Sequence, residues 1–161
     1  MITVLSERPQ EIQRFCAAPW QFQLTFKTPL RDLSRFVSTF LAAFSLERAA
    51  FSTDLVVFEP ENLLKLFAGE SLQPENCWNF NLRVEGQRGV LELLEAALGD
   101  WVDFSFVPTP ESFAIYADHD EYTTFYVNGE SDLAELATDL KNAGFESVAG
   151  YTRGGMNDGW R

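Results

Sequence analysis

The stretch WNFNLRVEGQRGVLELLEAALGDWVDFSFV, residues 78–107, carries the local pattern that predicts the fold. Its first eight residues alternate between apolar and polar side chains, as in a half-buried β-strand. Apolar side chains then recur at helical spacing through residues 90–98, and Gly99 is placed to end this helix in the left-handed conformation. Residues 101–107 again favour a strand. The stretch therefore predicts one strand–helix–strand unit.

Two further units follow the same pattern. In the first, alternation over residues 20–26 predicts a strand, and a short buried strand is predicted at 54–58. The amphipathic helix between them is predicted over residues 29–45, with Thr28 as its N-cap and Pro29 as its first residue. A short helix over 61–68, begun by Pro60 and closed by Gly69, is predicted to follow that unit.

The third unit begins with a hairpin. Residues 112–117 and 122–127 favour strands, and the polar residues 118–121 between them favour a turn. A helix capped by Ser131 and closed by Gly144 is predicted next, followed by a returning strand at 145–151.

Three such units with antiparallel hairpins predict a single α+β domain over residues 1–153. We expect a largely antiparallel, twisted sheet with helices mainly on one face, arranged as in ferredoxin-like or related folds. The other face is expected to be free, or covered by the short helix at 61–68. The tail at 154–161 holds three glycines and is predicted to be flexible.

Acidic residues are concentrated in one part of the chain. Residues 92–146 contain thirteen carboxylates and one cation, Lys141, so this stretch alone accounts for the formal net charge of −12, whereas the first fifty residues are +2. Such a field speeds encounter with basic surfaces and repels nucleic acid and anionic lipid. The alternative is that the acidity serves solubility alone. The thirteen acids are Glu92, Glu95, Asp100, Asp103, Glu111, Asp118, Asp120, Glu121, Glu130, Asp132, Glu135, Asp139 and Glu146.

Residues that could carry chemistry are few. The single histidine, His119, lies among Asp118, Asp120 and Glu121, which favours a polar turn over a metal site or an acid–base pair. We therefore expect no catalytic residue, no metal ligand set, no cofactor and no enzyme activity. On this interpretation His119→Ala changes stability by no more than the ~0.5 kcal/mol typical of surface sites.

The cysteines and the hydropathy bear on location. Cys16 and Cys77 stand far apart without a CxxC pattern, which favours buried thiols and leaves a disulfide open. The N-terminal segment does not match a signal peptide, and no apolar run approaches the ~18–20 residues of a membrane helix. We expect a cytoplasmic, reduced protein that binds neither nucleic acid nor membrane, as a monomer or weak homodimer.

The size, acidity and fold class together resemble those of immunity or inhibitor proteins that neutralise a nuclease or another basic toxin. The likeness is one of general properties, so it implies a basic protein partner but assigns no residues. Two other classes stay open: a regulatory or scaffold domain that binds a small molecule or self-assembles, and a metal-dependent enzyme. We expect the exposed carboxylates to form one negative face, with partner-binding candidates Asp100, Asp103, Asp118, His119, Asp120, Glu121, Glu130, Asp132, Glu135 and Asp139.

Overall fold

One antiparallel sheet organises the chain in the computed structural model, which describes residues 1–74, 76 and 78–151. Cys77 and the tail at 154–161 lie outside the described residues. Within them the sheet has seven strands: β1 (Ile2–Val4), β2 (Phe22–Lys27), β3 (Arg48–Leu55), β4 (Asn81–Glu85), β5 (Asp103–Thr109), β6 (Ala114–Ala117) and β7 (Tyr122–Val127). The helices are α1 (Gln10–Ala17), α2 (Leu33–Ala42), α3 (Glu61–Gly69), α4 (Gln87–Gly99) and α5 (Glu130–Asn142).

The strand order is β1-β4-β3-β5-β6-β7-β2, and every neighbouring pair is antiparallel. Strands β4 and β5, joined by α4, lie on either side of β3, so this unit has the split arrangement that the sequence predicted. The α+β class with an antiparallel sheet is confirmed. The more specific ferredoxin-like relation stays a prediction.

Most of the core lies on one face of the sheet, beneath α2, α3, α4 and α5. It is rich in phenylalanine: the ring of Phe40 makes edge contacts with those of Phe36, Phe113 and Phe125, and all four residues are fully buried. Aromatic rings of this size bury large area and favour such tilted pairings. The fifteen phenylalanines of the chain therefore serve chiefly to fill this layer.

The opposite face of the sheet is not free. Ile12 and Phe15 of α1 are buried against Ala50, Val107 and Tyr126 on that face. The expectation that the helix at 61–68 could cover it is wrong, because that helix, α3, packs beside α4 in the main core. The sequence did not predict α1, which is eight residues long and has two buried apolar side chains.

Four predicted helix ends are wrong. Helix α5 begins at Glu130 with Gly129 at its N-cap, so the predicted cap, Ser131, lies inside the helix, and α2 ends at Ala42 and not at residue 45.

Helix α2 begins at Leu33 and not at Pro29. The predicted cap, Thr28, is not available to it, because the Thr28 hydroxyl forms a 2.7 Å hydrogen bond with the hydroxyl of Thr123 on β7. Gly99 is the last residue of α4, and the left-handed residue is Trp101, with φ of 53°. A Cβ at Gly99 would lie 3.3 Å from Asn62 Nδ2 of α3, a tight contact that the glycine avoids.

Two predicted strands also differ. The strand predicted at 54–58 is β3, which begins at Arg48 and ends at Leu55. It is an interior strand, hydrogen-bonded to β4 and β5, and its small residues Ala49 and Ala50 are buried on opposite faces of the sheet. The strand predicted at 145–151 forms one isolated bridge, between Ser147 and Phe26.

Candidate functional site

Three chain segments meet at one end of the sheet. Leu55 at the end of β3 pairs with Asp103 at the start of β5, and Phe104 pairs with Ala117, the last residue of β6. Antiparallel pairing therefore places Asp103 beside the β6–β7 turn. We call Asp103 and residues 118–121 the hairpin-tip site.

The turn of this site is held by one carboxylate. Oδ1 of Asp118 accepts hydrogen bonds from the backbone N–H groups of Asp120, at 3.0 Å, and Tyr122, at 3.2 Å. Glu121 adopts a left-handed φ of 68°, and its carbonyl accepts from the N–H of Thr28 at 2.8 Å. The predicted turn is confirmed. Its internal bonds leave the side chains of Asp120 and Glu121 exposed to solvent.

His119 turns back onto the sheet. Oδ1 of Asp103 accepts the backbone N–H of His119 at 2.6 Å and lies 2.8 Å from His119 Nδ1. The Asp103 side chain is only 9% exposed, whereas that of His119 is 35% exposed. A carboxylate buried to this degree needs hydrogen-bond partners. His119 supplies two of them to Asp103 on β5, so it is more than a solvated turn residue.

The two groups shift each other's titration. The hydrogen bond to Asp103 raises the pKa of His119, and the nearby charges of Asp103, Asp120 and Asp118 act in the same direction against burial. Burial raises the pKa of Asp103, and the hydrogen bonds from His119 oppose this rise without reversing it. Both shifts mean that the folded state holds protons more tightly than the unfolded state.

The first prediction concerns this pair. His119→Ala should lower the free energy of unfolding by about 1–2 kcal/mol, more than the surface value expected from sequence, because it removes one bond to a buried carboxylate. A raised histidine pKa adds stability that is fully present below the unfolded value of about 6.5 and is lost as pH rises through the folded value. The loss measured by urea unfolding should therefore be larger at about pH 5.5 than at about pH 8. An equal loss at both pH values would contradict the pairing.

Exposed aromatic side chains lie next to the hairpin tip. Phe58, between β3 and α3, is 55% exposed, and Trp101, between α4 and β5, is 37% exposed. Their ring centroids are 5.7 Å apart, and Trp101 Nε1 lies 3.4 Å from Glu121 Oε1. We call these two residues the aromatic pair. The sequence analysis missed them, because they are 43 positions apart and only the sheet register brings them together.

The remaining candidate acids do not join this site. Asp100 is 5% exposed, and its carboxylate accepts the backbone N–H groups of Asn62 and Leu63 at the start of α3, at 3.1 and 2.9 Å. It therefore caps a helix inside the fold. The others are exposed on α5, which begins beyond the end of β7 opposite the turn; they are Glu130, Asp132, Glu135 and Asp139. The single negative face stays a prediction.

Five basic side chains of the described residues form ion pairs elsewhere in the fold. Their ion pairs with carboxylates are Arg14–Glu111, Lys27–Glu146, Arg35–Asp32, Arg83–Glu11 and Arg88–Glu92. Within the described part of the chain, no Lys or Arg lies within 4.0 Å of the carboxylates of Asp120 or Glu121. The carboxylate of Glu121 is therefore not paired with a Lys or Arg of the described residues, and that of Asp120 lies 3.9 Å from His119 Nε2, which carries a positive charge only when protonated.

Other chemistry was sought in the described residues. There, no group of three His, Cys, Asp or Glu side chains could hold a metal ion. Cys16 is a partly buried residue of α1, and burial raises the pKa of its thiol to about 11, so the thiol stays protonated at neutral pH. No helix in the same residues is long and apolar enough to cross a membrane.

Comparison of the chain with protein-family models, curated proteins and solved structures gave no significant match. The argument for function therefore rests on the hairpin-tip site and its surroundings.

Proposed function

We propose that this chain is an acidic protein-interaction module of the immunity or inhibitor kind, which occludes a basic partner such as a nuclease toxin. The observation that carries the proposal is the pair of exposed carboxylates, Asp120 and Glu121, on a turn that Asp118 holds in shape. No Lys or Arg of the described chain lies within 4.0 Å of either carboxylate, and His119 Nε2, 3.9 Å from Asp120 Oδ1, is positive only when protonated. A cationic cleft on a partner would supply the missing charge.

The preformed turn favours tight docking. Ordering a flexible loop on binding costs free energy. The turn is already ordered in the free protein by the hydrogen bonds of Asp118 and the backbone bond of Glu121, so binding does not have to order it. Complementary charge then steers the encounter and selects the partner. On this proposal the chain acts by covering a surface and carries out no reaction itself.

The hairpin tip is a better docking site than α5. Glu130 and Asp132 lie in the first turn of that helix, where acidic side chains stabilise the positive end of the helix dipole. Their acidity therefore has a role in the fold. Asp120 and Glu121 have no such helix beneath them, and they stand beside exposed aromatic rings.

The second prediction tests the charge at the turn. Changing Asp118 and Asp120 to Asn and Glu121 to Gln keeps the acceptor oxygens and removes three charges. The affinity for a fluorescent deca-lysine peptide, measured by anisotropy at about 20 mM salt, should fall about tenfold, and its dependence on salt should weaken. The matched control carries Glu130→Gln, Asp132→Asn and Glu135→Gln, and its affinity should change by less than about twofold.

Equal losses in the two triple variants would show that the peptide reads only net charge, and no binding by the wild type would remove the proposal. Occlusion itself is tested on the natural partner. A basic protein retained from a native lysate at about 20 mM salt, and released at about 500 mM, should lose its own activity on adding one equivalent of this chain. Retained activity would contradict the inhibitor role.

A further inference from the structure

We infer that the aromatic pair, with the carboxylates of Asp120 and Glu121, recognises an arginine side chain of the partner. This inference rests on the proposed function and names the group that the hairpin-tip site would bind. It concerns Phe58 and Trp101, whose rings stand beside that site.

The first support is an accumulation of exposed apolar side chains. Large apolar residues are buried over most of the described chain, yet four of the exposed ones lie in two adjoining segments. Leu55, Val57 and Phe58 are at and just past the end of β3, and Trp101 precedes β5, whose residue Asp103 pairs with Leu55. Grouped exposed apolar side chains mark interaction sites, whereas single exposed ones need no explanation.

The second support is the position of the carboxylate. Trp101 Nε1 lies 3.4 Å from Glu121 Oε1, so a negative charge stands at the edge of an exposed indole ring. The backbone at Trp101 is held by two hydrogen bonds. The backbone N–H of Trp101 donates to the carbonyl of Leu98 at 3.3 Å, and that of Val102 donates to the carbonyl of Ala97 at 3.2 Å. The ring and the charge are therefore presented together by a rigid backbone.

The chemistry of this surface selects the occupant. A purely apolar partner would bury the carboxylates of Asp120 and Glu121 without compensation, which is costly. A lysine would satisfy the charge, but its ammonium is strongly hydrated and has no planar face to stack on a ring. A guanidinium can stack on an aromatic ring and donate hydrogen bonds to a carboxylate at the same time, and it is weakly hydrated. Charge complementarity and ring stacking together favour arginine.

The third prediction is a preference between cations. The wild type should bind a deca-arginine peptide about five times more tightly than a deca-lysine peptide in anisotropy titrations at about 100 mM salt, given the size of exposed cation–π contacts. In Trp101→Leu the ratio of the affinities for deca-arginine and deca-lysine should fall to roughly twofold or less, as expected when only the carboxylates bind the peptides. The matched control, Trp78→Leu, removes another exposed tryptophan and should keep the full ratio.

Because Trp101 has a left-handed backbone, its variant is checked for folding by circular dichroism, and Phe58→Leu provides a second test in a connection without that constraint. Should Trp101→Leu not fold, Phe58→Leu and the indole N–H signal of Trp101 in the wild type decide: that signal should shift more with deca-arginine than with deca-lysine at equal saturation. Equal affinities in the wild type, or a ratio unchanged in the folded variants, would overturn the arginine inference while leaving the acidic module intact. Failure of both peptides to bind would overturn the proposed function itself.

Discussion

Phe40→Ala should lower the free energy of unfolding by about 3–5 kcal/mol, the range for removing a fully buried aromatic side chain. Phe40 is 0% exposed, and its ring centroid lies 5.4 Å from that of Phe36 and 5.1 Å from that of Phe125. Those rings belong to α2 and β7, so the cavity would open between the helix layer and the sheet. Urea unfolding followed by circular dichroism measures the loss.

The matched control is Phe58→Ala, which removes the same side chain from an exposed position and should cost only about 0.5 kcal/mol. Similar losses at the two positions would contradict the assignment of Phe40 to the core and of Phe58 to a free surface. The comparison therefore also bears on function, because a residue reserved for a partner contributes little to folding.

Asp100→Ala should lower the free energy of unfolding by about 2–4 kcal/mol, although sequence analysis placed this residue among the partner-binding acids. Its two carboxylate oxygens accept from the backbone N–H groups of Asn62 and Leu63, and Oδ1 also accepts from Asn62 Nδ2 at 2.7 Å. Removing the carboxylate takes the acceptor from these donors at the partly buried start of α3, where Leu63 is fully buried. The loss of a helix cap adds to that cost.

The control for this substitution is Asp139→Ala, which removes the same charge from the exposed surface of α5 and should change stability little. Asp100→Asn should fall between the two, because it retains one acceptor oxygen. A loss in Asp100→Ala no larger than in Asp139→Ala would contradict the capping role and return Asp100 to the set of surface acids.

Local patterns were enough to predict many of the elements. Strand β7 was predicted with the bounds that the structure has, because its side chains favour strands and the polar turn before it is unambiguous. Helix α3 was predicted to within one residue, since Pro60 precedes it and Gly69 is its last residue. The split arrangement of β4, α4 and β5 followed from the same reasoning applied to a whole unit.

The failures have a common physical cause, which is that tertiary packing decides where local signals are weak. Ala49 and Ala50 give no strong strand signal, yet they lie in an interior strand that is hydrogen-bonded to a neighbour on each side. Thr28 could cap a helix, but a hydroxyl on β7 binds it instead. Neither outcome can be read without knowing the strand order.

The candidate site was also predictable only in part from the local sequence. The turn at 118–121 was predictable from its polar residues, whereas the bond between His119 and Asp103 requires β5 to lie beside β6. Counting acids located the negative charge in the second half of the chain. It could not separate Asp100, which is enclosed in the fold, from Asp120, which is exposed.

The most direct test of the docking site is a map of amide chemical shifts during titration with the deca-arginine peptide at about 20 mM and about 300 mM salt. Our account predicts that the largest shifts at low salt lie at residues 118–122 and at Trp101, and that they weaken together as salt rises. Shifts centred on Glu130–Asn142, or spread evenly over all exposed acids, would contradict it.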